Sequence, residues 1–444
     1  MLEMIDMEST TDNNRGAFTV PEEHLGNLNK IANRKIQDLR SSENENLLIF
    51  PDCLNLTRDR IGKEKVFTID EDKLTTENIM GFIGVNETEI TIQSRFTQTG
   101  KDFFLHHMLH KVFSINMFDL SYGFGPDGVF DFIIYLFPYY LKKAVSQGII
   151  REYQNRTYND ANVKGPIDVN RHIKQNYPFK GNIAYHIREY SYDNRITQLI
   201  RHTIEYLKGL PCGASILNNE SETVVAVSDI VRATPTYNRQ ARNEVIQLNL
   251  KPVTHPYYYE FVGLQNICLR ILRHNRLSYQ KQKDKIYGIL FDGAWLWEEY
   301  LNTILQNHGF THPENKIRKN GIEPYGNIDK KMYPDFYKTG MVVDAKYKHI
   351  SEIKCIDRND LNQILAYMYI LKYNSGTFIS PAQIDNIADD EVGKLNGYGG
   401  EIGVFNFVVP QSVSSFNEFN SQLAQSTEKL ITYLDGINNK KIRN

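Results

Sequence analysis

The sequence predicts a multidomain α+β and α/β protein: an N-terminal α+β region, then a C-terminal domain with a mixed sheet flanked by helices. Three observations lead there. The chain has 444 residues, and single hydrophobic cores stop growing near about 250–300 residues, so at least two domains are expected. Between Leu47 and Phe96 the apolar residues run in strand-length segments, and helical spacing takes over from Phe103. Beyond residue 283 the order changes to helix, polar loop, strand, turn, strand, helix. With 41% hydrophobic and 12% aromatic residues the chain is not a disordered one. Its formal charge of −2 excludes a protein that coats nucleic acid over its whole surface, so any such contact must be local.

Residues 1–45 are polar and read as a peripheral arm, with a short helix around Leu25 to Leu39. The start carries Glu3, Asp6, Glu8 and Asp12, which is unlike a secretory signal. Residues 46–283 form the N-terminal region. Lys65–Ile69, Gly81–Val85 and the alternating Glu89–Gln93 are strands, and Asn86-Glu87-Thr88 makes a hairpin turn. Helices are expected over Phe103–Phe113, Val129–Ser146, Asn194–Lys208 and Tyr258–Arg273. The most apolar stretch, Val129 to Leu141, is interrupted by Asp131 and Pro138 and falls short of the roughly 20 residues that span a bilayer. Cys53, Cys212, Cys268 and Cys355 form no close pair, which suits a reduced cytosol. The polar segment Asn275–Lys285 places the boundary near 283. In 284–444 a helix is expected over Leu290–Gln306, a basic loop over His312–Lys331, and a helix over Asp360–Tyr373 with Asp360 or Asn359 as its N-cap.

The chemistry concentrates between that loop and that last helix. In Tyr333 to Tyr347, two strand-like runs surround Thr339-Gly340. Antiparallel pairing about that turn sets Lys338 opposite Met341 and Asp335 opposite Asp344. Like charges directly opposed on one face are destabilising unless compensated. A divalent cation would compensate, and the strand period of two aims Lys346 at the same face. Two carboxylates and an ammonium suit Mg²⁺-assisted phosphodiester hydrolysis, with the aspartates as ligands and Lys346 supporting the attacking water. An ordinary surface hairpin carries the same short pattern. Upstream, Trp297, Leu301, Ile304 and Leu305 form an apolar helical stripe that Glu298 flanks, so Glu298 is the expected third acid, while Glu299 points to solvent. Downstream, Gln363 and Tyr367 stand at i and i+4, offering an amide and a phenol to the metal shell or to phosphate. Lys316, Arg318, Lys319, Lys330, Lys331 and Lys348 lie around the hairpin as a solvated basic face or as contacts to the DNA backbone.

Two other patterns carry less. Gly123 to Gly128 satisfies G-x-G-x-x-G, but Pro126 sits inside it and no βαβ unit surrounds it. His106 and His110 share a helix face at zincin spacing, yet His107 stands between them instead of a general-base Glu, and a packing surface is expected. No G-x-x-x-x-G-K-[ST] occurs, so the sequence has no phosphate-cradling loop of that kind.

The order of Glu298, Pro334-Asp335, Asp344-Ala345-Lys346 and Gln363-x-x-x-Tyr367 resembles the PD-(D/E)xK nucleases and, more narrowly, the McrC family of McrBC-type restriction systems. Phe291-Asp292-Gly293 with Leu296 to Tyr300, and Asp360 to Tyr367, are similar to that family's segments. So, more weakly, are Gly81-Phe82-Ile83 with Ile90-Thr91-Ile92, Met108-Leu109, Gly148 to Tyr153, and Asn194 with its helix. The match is gapped over roughly 60–375. Lys164-Gly165-Pro166-Ile167-Asp168 departs from the family's Arg-Gly-Arg-Ile-Asp, and Trp297 stands where it prefers Phe. The resemblance implies a PD-(D/E)xK fold for 284–444 and a Mg²⁺-dependent double-stranded DNA endonuclease in a prokaryotic cytoplasm. It also implies that the chain docks on a McrB-like AAA+ GTPase ring, inserts part of 46–283 into its pore and stimulates GTP hydrolysis. The alternative from another class is a non-catalytic regulatory subunit of such a ring with a vestigial nuclease fold.

Overall fold

A computed structural model describes residues 2–5, 18–39, 44, 47–51, 60–71, 73–86, 88–97, 102–113, 126–218, 220–277, 285–313, 320–350, 352–383 and 392–442. The chain divides into two compact units, 1–129 with 282–444, and 130–281.

The first unit opens with β1 (Leu2–Ile5), β2 (Phe18–Thr19), α1 (Glu22–Leu28) and α2 (Ile36–Leu39). The single helix expected over Leu25–Leu39 is two, because Asn33 takes φ 61°. A left-handed residue cannot continue an α-helix. The Asn33 side chain donates to the Ile69 carbonyl at 2.9 Å, so the break is also an anchor. Leu28, Ile31, Ile36 and Leu39 are fully buried in one core with strand residues such as Phe67 and Ile83. Residues 18–39 are therefore packed structure rather than a peripheral arm.

Next come β3 (Leu47–Phe50), β4 (Phe67–Asp70), β5 (Lys73–Thr76), β6 (Ile79–Val85), β7 (Thr88–Gln93) and α3 (Phe103–Phe113). The expected hairpin is present: β6 pairs antiparallel with β7 with Val85 opposite Thr88, and Asn86 in the turn has φ 55°, as tight hairpin turns require.

α4 (Pro126–Val145) leads into the second unit, which holds β8 (Glu152–Asp160), α5 (Val169–Asn176), β9 (Ile183–Ser191), α6 (Arg195–Lys208), α7 (Gly213–Asn218), α8 (Ser221–Ala233), α9 (Arg242–Leu248) and α10 (Glu260–Leu277). β8 and β9 form a two-stranded antiparallel sheet, with α5 in the connection between them. α6 is capped by Asn194, whose side chain accepts from the Ile196 and Thr197 amides, and its stripe Ile196, Leu199, Ile200, Ile204 and Leu207 is wholly buried.

The chain then returns to the first unit through β10 (Ile286–Asp292), α11 (Gly293–Leu305), β11 (Phe336–Lys338), β12 (Met341–Ala345), α12 (Arg358–Leu371), β13 (Ser375–Ala382), β14 (Val392–Lys394), β15 (Glu401–Val408) and α13 (Phe416–Ile442). Here the structure corrects two expectations. The helix does not begin at Leu290: Ile286 to Phe291 is a strand buried throughout, and an apolar run of that length fits a doubly covered strand as well as a helix. Asp292 ends it and caps α11 from Ala294 N at 2.9 Å. Moreover β10 is inserted between β6 and β3 in the sheet β1-β7-β6-β10-β3. Residues 46–129 therefore share a unit with the C-terminal segment, not with 130–281.

The C-terminal sheet runs β11-β12-β13-β15-β14, with β12, β13 and β15 parallel and both outer strands antiparallel. It is the expected mixed sheet. Val342, Phe378, Ile402 and Val404 pack with Ile364, Tyr367 and Met368 of α12. Since strand residues alternate faces, Phe405 and Phe407 look the other way, where Phe405 meets Tyr433 of α13 at 5.1 Å and Phe407 meets Trp297 of α11 at 5.4 Å.

The insertion of β10 depends on close backbone approach. Gly81 (φ 122°) lies opposite Leu290, and a Cβ there would stand 2.1 Å from the Ile289 carbonyl oxygen. Gly81→Ala is expected to destabilise the protein by about 2–4 kcal/mol, from the disfavoured φ and the backbone clash together. Urea denaturation checks this, and an unchanged midpoint would mean that the β6–β10 register is wrong.

Candidate active site

The pairs Lys338–Met341, Tyr337–Val342 and Phe336–Val343 set the β11–β12 register, and one more step places Asp335 opposite Asp344, as the turn chemistry predicted. Asp344 is fully buried. Asp335 keeps partial exposure as a residue, but its carboxyl is anchored inward, with Oδ2 accepting from Ala345 N at 2.7 Å. Lys346 continues the strand by donating its amide to the Ile379 carbonyl at 2.9 Å, and its Nζ lies 2.8 Å from Asp344 Oδ2.

The electrostatics follow from that packing. Burial, reinforced by the neighbouring Glu298 charge, pushes Asp335 up to about 7, against the opposing pull of Lys346, the Ala345 amide and His312. Burial and then the Asp335 charge push Asp344 up to about 8, again with Lys346 opposing. For Lys346, burial disfavours the charge, yet Asp344 and Asp335 outweigh it and hold the ammonium above the usual lysine range. Two carboxylates facing one another shed their protons as a coupled pair.

Helix α12 closes the site differently from the sequence reading. Its N-cap is Asp357, accepting from Asn359 N at 2.7 Å, not Asp360 or Asn359. Asp360 is thereby left free to pair with Lys346 at 3.1 Å and Lys348 at 2.6 Å. Gln363 donates to the Tyr367 hydroxyl at 3.0 Å, which donates to the Tyr333 carbonyl at 3.2 Å. This amide–phenol pair braces the backbone two residues before Asp335. Burial raises the Tyr367 pKa, with the Asp335 and Asp344 charges adding to it.

On α11, Glu298 faces the site, with Oε1 3.7 Å from His312 Nδ1, while Trp297 on the adjoining face reaches the Ile379 carbonyl at 3.4 Å. Glu299 is also only partly exposed. His312 enters because Thr311 bridges to Tyr337 along the outer edge of β11. Its Nδ1 donates to the Asp335 carbonyl at 2.8 Å, and its ring stacks on Phe336 at 4.9 Å. Neither His312 nor the pairing role of Asp360 was read from sequence. A lone loop histidine gives no signal, whereas Asp360 at i−3 from Gln363 could have been placed on the site-facing side of α12.

Lys330 and Lys331 are exposed on the segment leading into the hairpin, where Ile322 bridges to Met332; Lys331 lies 3.9 Å from Glu323. Lys348 is committed to Asp360 and so is part of the site's ion-pair chain. Lys316, Arg318 and Lys319 lie outside the described residues, as do Gly123 to Gly125 of the glycine-rich segment. His107 is a packing residue: it bonds Asn420 at 2.6 Å, and burial holds its pKa down at about 4.

Among the described residues no group of three or more His, Cys, Asp and Glu is arranged to hold an ion. The facing carboxyls of Asp335 and Asp344 could hold a cation, with water or phosphate oxygens completing its shell. The donor set fits a hard divalent ion of that habit. Asp344 Oδ1 is buried with no hydrogen-bond partner among the described residues, an acceptor whose desolvation is uncompensated.

The family model described as "McrBC 5-methylcytosine restriction system component" matches residues 74–381. Two solved structures align with 14% and 15% identity. The first, of Thermococcus gammatolerans McrB AAA+ hexamers with bound McrC, has a TM-score of 0.40 and covers 97% of this chain and 99% of that one. The second, a Thermococcus gammatolerans McrBC complex, has a TM-score of 0.30 and covers 69% and 87%. A comparison with curated proteins gives no match.

The raised carboxyls fix the sign of a pH dependence. The folded protein binds more protons than the unfolded chain between the ordinary carboxylate pKa and about 8, so stability falls as pH rises through that window. In metal-free protein, raising the pH from 6.5 to 8.5 should cost the wild type about 1–2 kcal/mol more than it costs Asp344→Asn. Denaturation curves at the two pH values measure this. Parallel losses would remove the buried pair as the cause.

Proposed function

The chain belongs to the McrBC 5-methylcytosine restriction system component family, and from that premise we propose that it is the endonuclease subunit of such a system. In this reading it hydrolyses phosphodiester bonds of double-stranded DNA with Mg²⁺, in a prokaryotic cytoplasm, while docked on a McrB-like AAA+ GTPase ring whose GTP hydrolysis it stimulates. The supporting observation is the opposed pair Asp335 and Asp344 with Lys346 on the same face, one buried carboxylate oxygen lacking a hydrogen-bond partner among the described residues. A structural hairpin has no need of that costly arrangement.

Asp335 and Asp344 would hold the cation; Glu298, the expected third acid, reaches Asp335 with its charge but does not join the two aspartates in a three-group cluster among the described residues. Bound there, Mg²⁺ would polarise a phosphate oxygen and acidify a water. The ammonium of Lys346, kept charged by its carboxylate neighbours, orients the attacking water and offsets charge developing on the phosphate oxygens. His312 and Tyr367 fix the backbone on either side of Pro334, so the Asp335 carboxyl is held from its own main chain. Lys330 and Lys331 supply exposed positive charge for the DNA backbone. Among the described residues no helix is long and apolar enough to cross a membrane.

The test is DNA cleavage with the ring partner, GTP and Mg²⁺, comparing wild type with Asp344→Ala and Lys346→Ala. Each variant should lose about 10²-fold or more in rate while still stimulating GTP hydrolysis. Equal cleavage by all three proteins would sink the catalytic assignment and leave a purely regulatory subunit.

A further inference from the structure

We propose that Asp360 is the positioning residue for Lys346, giving its ammonium a second station so that a divalent cation can take Asp344 while the lysine stays in the site. This rests on the reading of Asp335 and Asp344 as cation ligands. Lys346 Nζ stands 2.8 Å from Asp344 Oδ2, within reach of the ligand a cation needs. A buried ammonium on a buried carboxylate is a direct competitor for the metal. An ammonium has three donors, however, and Asp360 Oδ1 stands 3.1 Å from the same Nζ as a second ion-pair partner.

Asp360 is itself aimed. It sits in the first turn of α12, where the helix dipole favours a carboxylate, and its side chain is only 15% exposed. Lys348 binds the other oxygen, Oδ2, at 2.6 Å, which turns Oδ1 toward Lys346. The result is an alternating chain Asp344, Lys346, Asp360, Lys348, in which each oxygen of Asp360 serves one cation. When a metal ion takes Asp344, Lys346 keeps a fixed anchor on a rigid helix beside the hairpin. Without Asp360 the lysine's remaining ion pair among the described residues would be with Asp344, the carboxylate that an incoming ion would have to take from it.

Mg²⁺ binding to the metal-stripped full-length protein, measured by isothermal titration calorimetry, tests the assignment without recourse to cleavage. Asp360→Asn should weaken Mg²⁺ binding about tenfold, the scale of one partly screened charge contact, and Asp360→Glu should recover most of it. Adding Lys346→Ala to Asp360→Asn should restore the affinity, whereas adding Lys348→Ala should not. Wild-type affinity in Asp360→Asn would overturn the proposal, as would equal restoration by the two lysine substitutions, which would mark a diffuse loss of charge. If wild type itself binds no Mg²⁺, the metal-centre reading falls first and the positioning role falls with it. Far-ultraviolet circular dichroism of each variant checks that it is folded, and the Asp360→Glu comparison keeps the charge while changing its reach.

Discussion

The opposition of Asp335 and Asp344 across the β11–β12 hairpin is the constraint on which the rest of the site depends. It follows from a short turn and a register of three pairs, and it forces two like charges into a buried space. Nearly every polar feature nearby can be understood as a response: Lys346 against one carboxylate, the Ala345 amide on the other, and the Tyr333 carbonyl held by Tyr367. The response stops short of complete neutralisation. Both carboxyls remain raised, because burial and the neighbouring acidic charges outweigh the pull of Lys346.

The hairpin holds this geometry because it is tied to structure far away in sequence. Tyr347, next to Lys346, bonds Ser94 at 2.7 Å, and its carbonyl accepts from Arg95 at 3.2 Å. Arg95 in turn donates to Asn78 at 2.9 Å, and Asn78 donates to the helix cap Asp292 at 3.1 Å. The end of the N-terminal sheet thus grips the strand that carries the lysine, while the helix bearing Glu298 starts from a strand inside that same sheet. Such bracing limits how far the charged groups can shift relative to one another.

The paired acids, the lysine two residues on, the acidic helix and the Gln–Tyr face of α12 were all legible in the sequence. Each depends on a local period, two for the strand or 3.6 for the helix, together with turn chemistry. The local periods also located α3 and α6 and the β6–β7 hairpin. They failed at Ile286 to Phe291, because a short apolar run buried on both faces has no period to read. They failed again at the cap of α12, where three acidic or amide residues compete within four positions and only the folded backbone selects Asp357.

By itself, then, the sequence determined which residues share a face and which oppose one another, since those relations depend on spacing along a regular backbone. Tertiary structure alone decided that 46–129 belongs with the C-terminal segment, that His312 meets Asp335, and that Asp360 faces two lysines instead of capping its helix. Those relations join segments distant in sequence, or choose among near-equivalent local options. Backbone pairing across hundreds of residues and the geometry of charge burial settle them, and neither leaves a periodic trace in the chain.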